Sequence, residues 1–339
     1  MYIRPFPFVV YMEGEQVVKG KLTYLLCMLS IMSVILAGCA SSVQEKSAAK
    51  SPDHYLQITD DAGRNVVLGQ KPQRIVVLST SFLDVLYGVG GKAVGRPSSK
   101  TPQTFPAQQD IPEVGFIYNV NVEQVLTLQP DLIIGFQGIH DKLIPTFESS
   151  KVPMLILKMK TYDDILEKVK LFGDIAGTQG QAEKLLADMQ ANINEVTAKL
   201  PNQSKKVIIL HATAKNVTVE LENSIAGNVA SILKLKNIAA GSTPIDGDNE
   251  ATPYSLEKLV EGDADAILVV TMGNMAEIEK RMKADLESNP AWGGLRAVKT
   301  GQVYFLPAEL FQLNPGIRFH ESVAYMAKVM YPEVYGNVK

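Results

Sequence analysis

Short, wholly apolar runs alternate with stretches of helical spacing along most of the chain. In the first half the runs predict strands over Arg74–Leu78, Ala93–Gly95, Asp131–Gly135 and Pro153–Leu157. In the second half they predict strands over Lys205–Leu210, Ala264–Val270 and Gln302–Leu306. Leu132-Ile133-Ile134 and Ala266-Ile267-Leu268-Val269-Val270 show no polar alternation, which suits strands covered by helices on both faces. The pattern predicts two Rossmann-like α/β lobes.

One long amphipathic stretch separates the halves. Ala182, Leu185, Leu186, Met189, Ile193, Val196 and Leu200 fall at helical spacing, and Pro201 stops the run. A helix over Gln179–Leu200 would cover about 33 Å at 1.5 Å per residue, enough to cross from one lobe to the other. The plainer alternative is a surface helix packed on one lobe. The expected division is 58–178 for the first lobe, 179–200 for the connecting helix and 201–339 for the second lobe.

The two halves also share an internal repeat. The segment from Val120 to Ile134 aligns without gaps on the segment from Tyr254 to Leu268. Each copy has a capping residue (Asn121, Ser255), a glutamate two positions on (Glu123, Glu257), a short helix, an aspartate and a buried strand. Stabilisation of the helix dipole, about 0.3–1 kcal/mol, accounts for either glutamate alone. It accounts less well for one at the same place in both lobes.

The N-terminus follows a different pattern. Lys19 and Lys21 precede an apolar run from Leu22 to Ala37, shorter than the roughly 20 residues a membrane span needs. It reads as the core of a secretory signal over residues 1–38, with Met12 a second candidate start. Leu36-Ala37-Gly38-Cys39 is a lipobox, so Cys39 is expected to carry a diacylglycerol that anchors the protein outside the cell membrane. Cys27 would leave with the signal, and the mature chain could then form no disulfide. Residues 39–57, small and polar, read as a flexible tether.

Composition narrows the functions. The chain has 339 residues and a net charge of -3, with no basic stripe suited to nucleic acid. Phosphate-loop, nucleophile-elbow and His-Glu-x-x-His motifs are absent, so nothing points to an enzyme. The 4 histidines, His54, His140, His211 and His320, are scattered, which argues against a bare zinc or manganese ion as ligand.

Several stretches resemble the substrate-binding lipoproteins of iron-siderophore, haem and cobalamin ABC importers. They are Arg74-Ile-Val-Val-Leu-Ser-Thr-Ser, the segment from Asn121 to Leu132, and Asn289-Pro-Ala-Trp-Gly-Gly-Leu-Arg-Ala-Val-Lys-Thr-Gly-Gln-Val-Tyr. The resemblance runs from about Ile58 to Tyr335. It implies a ligand cleft between lobes held by a rigid helix, and no cofactor of the protein's own. It also implies delivery to a permease dimer and its ATPase, with Glu123 and Glu257 docking against permease arginines. A surface receptor or sensor that binds the same ligand without delivering it is the alternative.

For the ligand, the cleft is expected to draw on Thr80–Phe82, Arg96–Lys100, Gly115–Asn119, Phe136–His140, His211–Thr213, Thr271–Met275 and Phe311–Arg318. A ferric siderophore of high negative charge would call on Arg96, Lys100 and Arg318. Haem would take axial ligands from Tyr118, Met272, His140 or His211. By the resemblance, haem-binding relatives hold their axial residues in loops corresponding to those of Tyr118 and Met272. These loops are rich in Phe, Tyr, Ile and Met and sparse in clustered base, which places haem slightly ahead of a siderophore, with cobalamin third.

Overall fold

The computed structural model describes residues 54–338 apart from 101, 274, 313 and 314. The signal segment, Cys39 and most of the tether lie outside the described residues. Among those described, no helix is long and apolar enough to cross a membrane.

Two parallel-centred sheets organise the chain. The first has the order β3 (Ile75–Val77), β6 (Leu132–Phe136), β7 (Met154–Leu157), all parallel. The second is mixed, with the order β11 (Ala251–Pro253), β9 (Val217–Glu220), β8 (Lys206–Thr213), β12 (Ala266–Met272), β13 (Val303–Phe305), and β10 (Lys236–Asn237) pairing with β8. Two small hairpins complete the strands: β1 (Leu56–Thr59) with β2 (Asn65–Leu68), and β4 (Gly115–Phe116) with β5 (Asn119–Val120). Every residue of β6 and β7 is buried, as the unbroken apolar runs require.

Three features depart from the sequence pattern. Ala93–Gly95 makes only a single bridge, Gly95 to Val76. The pairing stops because the Arg96 N–H turns to the Pro112 carbonyl at 3.0 Å and Pro97 has no N–H to give. Strand β1 begins inside the segment read as tether, because Ile58 is buried and Leu56 pairs with Leu68. The β8–β9 hairpin and β11 replace what read as loop, and they carry His211 inside a strand rather than at its end.

The long helix runs Gln179–Thr197, about 28 Å. It buries Ala182, Met189 and Ile193 against the helices Tyr162–Ala176 and Phe319–Met330. The approach to the first is close: a Cβ at Gly173 would sit 2.6 Å from that of Ala182. Tyr335 ties the other end, its hydroxyl donating to the Val196 carbonyl at 2.6 Å. One continuous apolar core passes from Val77, Ile134 and Leu155 of the first sheet, through these helices, to Val207, Ile209 and Leu268 of the second. Separating the sheets widely would expose that core, so the helix layer resists large hinge motion.

The internal repeat is a repeat in three dimensions. Its two helices, Val122–Thr127 and Leu256–Gly262, are capped by Asn121 and Ser255 accepting from the N–H groups of Gln124 and Lys258. Gln129 and Asp263, at equivalent places, both leave their helices with positive φ, 48° and 44°. Asp131 then accepts from the N–H groups of Gln73 and Arg74 at 2.7 and 2.8 Å, and Asp265 accepts from that of Lys206 at 2.7 Å. Each aspartate thereby pins the start of the neighbouring parallel strand.

Candidate functional site

The C-terminal ends of β6, β7 and β8 face a cleft of about 1490 Å³ between the two sheets. This is the usual place for a ligand in open α/β folds. Its lining is polar. Aspartates and glutamates supply seven of its side chains and lysines two, with Asn216, Asn223, Asn228 and Gln137 among the rest.

Tyr118, 60% exposed, reaches the cleft from the turn between β4 and β5. That turn depends on Gly115, whose φ of 98° and whose 2.3 Å approach of a Cβ to the Asn119 carbonyl exclude any side chain. It depends equally on His140. The Phe136 N–H donates to Nδ1 of His140 at 2.8 Å, so the ring proton sits on Nε2, which donates to the Ile117 carbonyl at 2.8 Å. His140 is 1% exposed, and burial lowers its pKa and keeps it neutral. It cannot serve as an axial ligand while both ring nitrogens hold backbone groups. It positions the turn that presents Tyr118.

Across the cleft, His211 on β8 lies diagonal to Glu220 on β9, and its Nδ1 is 3.0 Å from Glu220 Oε1. That hydrogen bond raises the His211 pKa, more than burial lowers it. Glu250 stands nearby. Burial raises its pKa, as do the charges of Asp248 and Glu220, while Lys160 works the other way. Lys160 comes from the loop after β7 and meets Glu250 at 3.2 Å, forming an ion pair between the two lobes, with its ammonium 5.8 Å from the centre of the Phe136 ring. Asn228 makes a second link, accepting from the Tyr162 N–H at 2.9 Å.

The other candidates stand elsewhere. Arg96 is buried and paired with Glu113 at 2.9 Å, and it also donates to the Pro97 and Gln109 carbonyls. Arg318 is held by both oxygens of Glu321. Lys100 is exposed and Met272 is 43% exposed, and neither lines the cleft. The expected Phe-, Tyr-, Ile- and Met-rich wall is therefore not what the cleft shows; of the apolar side chains in those loops, Tyr118, Phe136 and Ile139 line it. Among the described residues, no group of three or more His, Cys, Asp or Glu is placed to hold a metal ion.

Sequence reasoning passed over Lys158, Lys160, Glu220, Asp248 and Glu250. One signal was available for Glu220. Thr218 and Glu220 alternate with Val217 and Val219, which places the polar pair on one face of a strand, and the register of β9 with β8 sets that face beside His211.

Glu123 and Glu257 are both exposed, each in the first turn of its helix of the repeat.

The chain is similar to known proteins over nearly its whole described length. It is 27% identical to the Fe(3+)-citrate-binding protein YfmC of Bacillus subtilis, over 90% of this chain and 96% of that one. It is 23% identical to the high-affinity heme uptake system protein IsdE of Staphylococcus aureus, over 91% and 97% of the two chains. The structure superposes on an ABC transporter substrate-binding protein from Listeria monocytogenes with a TM-score of 0.68, at 22% identity, covering 77% of this chain and 98% of that one. A periplasmic binding protein model matches residues 75–310, and the chain belongs to that family, whose members are substrate-binding transport proteins rather than enzymes.

Proposed function

We propose that the chain is the lipid-anchored substrate-binding component of an ABC importer and that it captures a ferric chelate in the cleft between its lobes. The observation that carries the reading is the cleft itself: wide, lined by hydrogen-bonding side chains, and set above an apolar core continuous between the two sheets. YfmC is named for ferric citrate, and the ferric-anguibactin-binding protein FatB of Vibrio anguillarum is 24% identical. Both names are those of proteins that bind ferric complexes. Anchoring falls to Cys39, and docking to the permease to Glu123 and Glu257, the repeat-related pair that each lobe exposes. Carboxylate–guanidinium contacts suit that task because they are specific in geometry and reversible.

Haem is the second reading, favoured by Tyr118, an exposed phenol at the cleft with the Phe136 ring also in its lining. The polar lining favours the chelate. The test is a titration of the purified protein with ferric hydroxamate and citrate complexes, followed by quenching of its fluorescence, beside haem followed in the Soret region. Saturable quenching by a ferric chelate is expected. A Soret shift at micromolar haem that is lost in Tyr118→Phe, with no chelate binding, would replace the reading with haem.

A further inference from the structure

Glu220 is 5% exposed and lines the cleft, yet one of its carboxylate oxygens is unused. Oε1 is taken by His211, whereas Oε2 is buried with no hydrogen-bond partner. Buried carboxylate oxygens without a donor are rare because the desolvation goes uncompensated. The surroundings do not supply one. Lys160, the cation facing this wall from the other lobe, is engaged with Glu250. Asp248 and Glu250 add negative charge on the same side, enough that the charges of Asp248 and Glu220 both push the Glu250 pKa upward.

We propose that this wall, built from Glu220, His211, Asp248 and Glu250, is a subsite for an organic cation, an ammonium group carried by the bound ferric chelate. An ammonium brings N–H donors and positive charge together, which is what Glu220 Oε2 lacks. A bare metal ion is a poor occupant, because no three metal-ligating side chains converge among the described residues. Within this wall the carboxylates of Glu220, Asp248 and Glu250 outnumber the one facing lysine, Lys160. Glu220 lines the cleft with Oε2 buried, so the contact requires its side chain to rotate toward the ligand.

The inference rests on the cleft being a ferric-chelate site, and the test separates the two. The probes are the ferric complex of a linear trihydroxamate ending in a primary ammonium, and the same complex with that amine acetylated. Both are titrated into the wild-type protein and into Glu220→Gln. The wild type should prefer the ammonium form by about tenfold, the scale of one charge-assisted hydrogen bond. Glu220→Gln should lose the preference, and an unchanged circular dichroism spectrum shows that the variant is folded. Equal affinity for both complexes in the wild type overturns the subsite and leaves the chelate reading standing. A preference that survives in Glu220→Gln, or an equal loss of both complexes, also overturns it. If neither complex binds the wild type, the chelate reading fails and takes the subsite with it.

Discussion

Replacing His140 by alanine tests whether a buried histidine positions the cleft. The substitution leaves the Phe136 N–H, buried at the end of β6, without an acceptor, and the Ile117 carbonyl without a donor. A buried backbone group left unpaired costs about 1–3 kcal/mol. Ile117 is only half-buried, so water can recover part of its loss. With the cavity left by the ring, a destabilisation of about 3 kcal/mol is expected. Urea denaturation with unchanged m-value measures it. The pH dependence carries a second signature. Burial lowers the His140 pKa in the folded state, below the ordinary 6.5. Below that pH the unfolded chain takes up a proton that the folded chain refuses, so this group makes stability fall as pH drops. The wild-type and His140→Ala curves should therefore converge on acidification from pH 7 toward 5. A difference under about 0.5 kcal/mol, or one independent of pH, would refute the positioning role.

Further outcomes are expected elsewhere. Asp131→Ala and Asp265→Ala, which unpin β3 and β8, should each cost about 1–3 kcal/mol in denaturant unfolding, Asp131 losing two backbone N–H bonds and Asp265 one together with its pair to Arg296. Equal, negligible losses would remove the strand-pinning role. Lys160→Met should move the Glu250 titration further up, since Lys160 alone of the named neighbours lowers it, while costing under about 1 kcal/mol because both groups are partly exposed. Carboxyl NMR reads the shift, and an unmoved Glu250 would count against the interlobe pair. Cys39→Ser should abolish diacylglyceryl labelling and release the protein from membranes; continued lipidation would remove the anchor.

The fold was legible because its signals are local. Apolar runs covered on both faces marked β6, β7 and β12, and 3.6-residue spacing marked the long helix to within three residues of its end. The repeat carried more than its sequence showed: its aspartates and its left-handed residues, Gln129 and Asp263, do equivalent work in both lobes. The cleft was less legible because its chemistry depends on register and packing. His140 reads as a free imidazole until the Ile117 turn folds over it, and Arg96 reads as available until Glu113 pairs with it. Lys160 and Glu250 are ninety residues apart and meet only because two sheets face each other across a helix layer.

Uptake of radioactive iron supplied as a ferric chelate tests import most directly, in cells lacking the gene and carrying either the wild type or Glu123→Lys with Glu257→Lys. Both glutamates are exposed, so the double variant should remain within about 1 kcal/mol of wild-type stability and bind the chelate with wild-type affinity. Deletion should abolish uptake of the bound chelate, the wild type should restore it, and the double variant should not. Uptake untouched by deletion, or fully restored by the double variant, would contradict delivery through these two faces.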